Sequence, residues 1–234
     1  MSDYGKGYFD ENDHKRSFAL GRGLTGVFGL MFLGLAASAG AALFTLNTEF
    51  MFNLVFGAQA PFYIFLFAPL VLVMFAFPRV WTMPPAAAFA LFIVYALING
   101  VTLSVVFLAY DLGTITLAFF SAAGMFGVMA VYGAITKADL SGMGSMLIMG
   151  LFGVIIASVL NWFFASDTLD MIISYVGIAV FLGLTAYDMQ RIKRSMDEHA
   201  GRAPAGVVVM GALHLYLDFL NIFLLLLRLF GRRR

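Results

Sequence analysis

Between Gly23 and Phe230 one pattern keeps returning: runs of about twenty apolar residues with no charge, the length that crosses a bilayer's hydrocarbon core. Lipid offers no water to an exposed amide. Such runs therefore fold as helices that pair their backbone groups internally. They place spans near 23–46, 59–78, 86–109, 114–135 and 143–165; a sixth, near 171–190, ends in polar residues, and a seventh, near 206–230, carries Asp218. The fold class expected is an all-α integral membrane protein of seven transmembrane helices. Composition agrees: 62% of the 234 residues are hydrophobic and 12% are charged, against about 25% charged in soluble domains. Pro61, Pro69, Pro78, Pro84 and Pro85 punctuate the second span and its exit, and Pro69 predicts a kink inside it.

No separate soluble domain fits. The longest polar stretch, Met1–Arg22, carries both signs of charge and is expected to be a disordered cytoplasmic tail. Ala37-Ser38-Ala39 resembles a signal-cleavage site, but the apolar run continues past it and the region before it is long and partly acidic. Loop charges set the orientation. Lys15, Arg16 and Arg22, then Arg79, Lys137, and Arg191, Lys193, Arg194 and Arg202 fall on one side; the other loops hold Glu49, Asp111, Asp167 and Asp170 without a base. The positive-inside rule puts the first side, and the N-terminus, in the cytoplasm and leaves a wholly acidic outer face. Seven spans then put Arg232, Arg233 and Arg234 outside, whereas a re-entrant last segment keeps them inside; both arrangements stay open. A net charge of +1 supplies no basic field for nucleic acid. The absence of cysteine excludes disulfides, thiolate metal sites and thiol catalysis.

The last span is the odd one. His214, Asp218 and Asn221 follow one another by four and three, on one helical face, with a carboxylate at bilayer depth. In the preceding spans the acidic residue nearest that depth is Asp188, beside Tyr187 at the cytoplasmic end of span six. Depth arithmetic at 1.5 Å per residue leaves the two carboxylates up to ~15 Å apart along the membrane normal, unless span six sinks inward. If they meet in a poorly solvated site they resist ionising together and titrate as one coupled pair. They also offer hard oxygens to Ca²⁺, which takes about 6–8, so Asp188 and Asp218 are candidates for weak, transient metal binding. The plainer readings are an interfacial Asp188 paired with Arg191 or Arg194, and an Asp218 hydrogen-bonded as a structural carboxyl. His214 either tunes Asp218 or fills a helix contact. Arg79 either reaches the aspartates or anchors orientation. Asn99, Thr102 and Ser104 in span three either line a cavity or bond across helices.

At AYDMQRIKR and LYLDFLNIFLLLLRLFG, and less specifically at YALINGVTLS, the chain resembles the Bax inhibitor-1 family, also called the transmembrane Bax inhibitor motif family. The resemblance covers the whole chain in span count. It implies seven helices with the last one central and wrapped by the other six, in a bacterial inner membrane. It implies a pH-sensitive Ca²⁺ leak, with Asp188 and Asp218 as sensor and plug and no cofactor beyond the permeating ion. Arg79 falls where the family's second-span arginine partner is expected, as a single base. The partners expected are the bilayer, Ca²⁺ and protons. Some bacterial relatives are linked to a membrane-bound ATP-dependent protease, so regulation by binding such a protease or stress machinery is the alternative. A third alternative, an intramembrane aspartyl protease, has Tyr187-Asp188 in its favour. However, Leu215-Tyr216-Leu217-Asp218 lacks the Gly-x-Gly-Asp setting, and no enzyme is expected.

Overall fold

The computed structural model describes residues 4–199 and 204–231, with side chains from residue 20 onward. Its helices are α1 (Tyr4–Asn47), α2 (Glu49–Phe56), α3 (Gln59–Phe75), α4 (Pro85–Ala109), α5 (Leu112–Ile135), α6 (Ser141–Phe164), α7 (Asp167–Glu198) and α8 (Ala205–Phe230), with a 3-10 turn at Phe77–Thr82. No strand occurs among the described residues. Six of the helices are long and apolar enough to cross a membrane, or up to seven if α2 and α3, bent by 89°, count as one span. The backbone of α1 reaches back to Tyr4, through most of the stretch expected as a tail. Arg232, Arg233 and Arg234 lie outside the described residues.

Packing divides the chain into two units. The first is Met1–Thr102 with Ile192–Leu213. In it α1 and α4 approach closely: a Cβ on Gly100 would sit 2.6 Å from the Ser38 Cα. The Ser38 hydroxyl faces the Ala96 carbonyl at 2.8 Å and its own Gly34 carbonyl at 2.9 Å. Small residues thus let two backbones meet, as lipid-immersed helices require. A Cβ on Gly40, by contrast, would meet nothing within 4 Å among the described residues. In α3, Pro69 has no amide hydrogen for the Phe65 carbonyl, and the Thr102 hydroxyl of α4 donates to that carbonyl instead, at 2.9 Å. Ala58, in extended backbone, breaks α2 from α3.

The second unit is Leu103–Arg191 with His214–Arg234. Asp111 caps α5, accepting from the Thr114 amide at 2.9 Å and hydroxyl at 2.7 Å. These bonds, the hydroxyl's first, hold the Asp111 carboxyl below its ordinary pKa. The buried residues of α5 (Ile115, Ala118, Ala122, Phe126, Ala130 and Gly133) recur every three or four positions. That stripe faces α8 through Phe126 on Phe219, and α7 where Gly133 lies against the Ala186 backbone. Gln190 of α7 grips the connection before α6: its amide donates to the Ala138 carbonyl at 2.8 Å and accepts from the Leu140 amide at 2.9 Å. Ala165, in left-handed backbone at φ 46°, ends α6.

Candidate functional site

α7 continues to Glu198, eight residues past the predicted end of span six, with Ile192 and Met196 buried along the added turns. Asp188 therefore sits inside a helix rather than at its mouth. It is 9% exposed and Asp218 is 4% exposed. Both line one cavity of about 650 Å³ in the second unit, together with Tyr187, His214 and Asn221.

α8 presents one face to this cavity. His214, Leu217, Asp218, Asn221, Leu224, Leu225 and Arg228 line it, at steps of three, one, three, three, one and three. Ile148, Leu151, Val154 and Ile155 of α6 form an apolar wall. A mostly dry wall opposite buried carboxylates keeps their fields strong. His214 and Arg191 lie beside Asp188, and Asp188 lies beside Asp218. The Thr185 hydroxyl also meets the Asp218 carboxyl. Even so, Oδ2 of Asp218 is buried without a hydrogen-bond partner among the described residues. Leaving such a group unsatisfied costs about 1–3 kcal/mol, more if it is charged, so the position calls for a proton, a water or an ion to meet it.

Tyr187 is held by Gly144 of α6, where a Cβ would come within 2.7 Å of the ring. Asn221 bonds back to the Leu217 carbonyl at 2.7 Å. Arg79 belongs to the first unit, in the 3-10 turn, where its guanidinium donates to the Phe75 carbonyl. Asn99 also lies in the first unit, 3.4 Å from the Tyr95 hydroxyl. Among the described residues no three His, Asp or Glu side chains converge on a metal position. Two aspartates are short of the coordination Ca²⁺ takes, so any Ca²⁺ held here would need waters or carbonyls to finish its shell.

The comparisons with known proteins bear on this geometry. Residues 21–234 match the family described as "Inhibitor of apoptosis-promoting Bax1". The chain belongs to the Bax inhibitor-1 family. Over 211 residues it is 38% identical to "Inner membrane protein YbhL" of Escherichia coli K12, covering 89% of this chain and 90% of that one. An uncharacterized protein of Borreliella burgdorferi is 41% identical over 220 residues, covering 90% and 92%. The uncharacterized protein RP147 of Rickettsia prowazekii is 40% identical over 211 residues, covering 89% and 88%. Both aspartates lie within the matched residues 21–234.

Sequence reasoning missed Arg228. It counted charges in the loops between spans, and the last turn of α8 places the Arg228 guanidinium 3.3 Å from Asp170. A signal was available: Arg228 is seven residues after Asn221 and so shares the face of His214 and Asp218. Thr185 and Gln190 were also missed, being polar positions on a helix read for its carboxylate alone.

Proposed function

We propose that this protein is a pH-sensitive leak for Ca²⁺ across a bacterial inner membrane. Seven spans thread the bilayer from a cytoplasmic N-terminus, with α3 as the second span and α8 as the central helix. The observation that carries the reading is the shared cavity of Asp188 and Asp218, in which one buried carboxyl oxygen has no partner among the described residues. A carboxyl pair at this depth is costly to maintain for structure alone. As a pair, its protonation changes the charge offered to a passing cation, so cation passage depends on pH. Binding by two carboxylates and water is weak enough to release the ion again, as conduction requires. The central place of α8 is supported by its burial: 72% of its most apolar window is buried, against 11% to 44% in the other candidate spans. The inner membrane is the location named for the Escherichia coli relative.

The test is Ca²⁺ uptake into liposomes holding the purified protein, measured from about pH 5 to pH 8. Asp188→Asn and Asp218→Asn are each expected to flatten the pH dependence. Uptake with an unchanged pH profile in both variants sinks the mechanism.

A further inference from the structure

A second cavity, about 690 Å³, lies at the other end of the same unit, lined by Asn161, Asp167, Asp170 and Ser174 among others. Two residues line both cavities: Ser158 of α6 and Arg228 of α8. The junction therefore carries one formal charge of its own, a guanidinium, on a route proposed for cations. Asp170 alters that charge. It sits in the first turn of α7 and meets Arg228 at 3.3 Å. The two are placed where helix ends favour them, the acid near an N-terminus and the base near a C-terminus. Asn161 also donates to Asp170, at 3.4 Å. Ser158 adds no charge; its hydroxyl is bonded to the Val154 carbonyl at 2.8 Å.

We infer that the Asp170–Arg228 pair determines which sign of ion passes between the two cavities. This rests on the leak reading and deepens it. Paired, the junction is neutral and a cation meets no net repulsion there. An unpaired Arg228 repels cations and admits anions, while an unpaired Asp170 does the reverse. The two single substitutions must then act in opposite directions. A purely structural ion pair gives the same direction for both, because either loss breaks the same contact.

In liposomes Arg228→Gln is expected to raise the cation-to-anion permeability ratio and Asp170→Asn to lower it, each by about threefold, since both side chains are about a third exposed and partly screened. Asp170→Arg combined with Arg228→Asp is expected to restore the starting ratio. Shifts in one direction, or none, overturn the inference. A second readout needs no transport. The chain has no cysteine, so Asn221→Cys supplies a single thiol on the far side of the junction. Membrane-impermeant thiosulfonates, one cationic and one anionic, are added to intact cells on the side of the α6–α7 connection. The ratio of cationic to anionic modification rates is expected to rise with Arg228→Gln and fall with Asp170→Asn. Equal ratios in all backgrounds, or no modification by either reagent, overturn the inference. If the native protein passes no cation but the labelling ratios shift oppositely, the leak reading fails and the charge filter stands.

Discussion

Phe65 shows how one residue's chemistry is settled by two others. Its carbonyl loses its usual donor because Pro69 stands four positions on, and Thr102 of the neighbouring helix supplies a hydroxyl at 2.9 Å. In an apolar setting the bond matters more for what its loss leaves behind than for its own strength. Thr102→Val is expected to lower stability in detergent by about 1 kcal/mol, the cost of leaving that part-buried carbonyl without its donor. Pro69→Ala returns an amide hydrogen to α3, so in that background the same substitution should cost far less. Equal costs in both backgrounds would mean that Thr102 contributes packing only. The sequence offered two uses for the patch at Asn99, Thr102 and Ser104, and Thr102 takes the helix-bonding one. The choice was not legible because it depends on which helix neighbours α3, and no local pattern encodes that. Asp218, by contrast, was legible at once, since a lone carboxylate in an apolar run is conspicuous whatever surrounds it.

At the scale of helices, backbone approach separates glycines that look alike in sequence. Gly133 of α5 has the Ala186 Cα where its Cβ would be, at 2.8 Å, whereas Gly153 of α6 has nothing within 4 Å. Gly133→Ala should therefore force α5 and α7 apart and cost about 1–3 kcal/mol. Gly153→Ala should cost nothing and recover some helix propensity. Thermal melts of the two variants, read side by side, check this; equal losses would remove close packing as the explanation. Helix existence was readable throughout, because a twenty-residue apolar run has one fold available in lipid. Helix ends were less so. Hydropathy stopped span six near 190, but α7 continues to Glu198 because Ile192 and Met196, four apart, keep one face buried beneath a charged surface. Asp188 lies inside that helix and in the same cavity as Asp218. Arg228 escaped notice for a related reason. Its partner Asp170 is 58 positions away on another helix, and charge counting by loop assigned the acid without the base.

For the whole molecule the open quantity is the number of crossings. At about 1.5 Å per residue α3 reaches roughly 25 Å, a little short of the ~30 Å hydrocarbon core, and α2 lies at 89° to it rather than extending it. Counting α3 as a thin span gives seven crossings and sets the N- and C-termini on opposite faces. α8 supports that count, because it is one unbroken helix of 26 residues, whereas a re-entrant segment must turn back within the bilayer. The basic residues at 232–234 oppose it, since the positive-inside rule prefers them in the cytoplasm. Orientation is usually dominated by earlier segments, and here the bases at 79, 137 and 191–194 agree with one another. The helix is therefore expected to win over its tail. In the cysteine-free chain, Thr168→Cys and a cysteine appended after Arg234 should both react with an impermeant thiol reagent added to intact cells. Lys137→Cys should react only after permeabilisation. An appended cysteine that stays protected in intact cells while Thr168→Cys reacts would put the tail inside. Arg228 and Arg234 would then require the chain to double back within six residues, and the count of seven would fall.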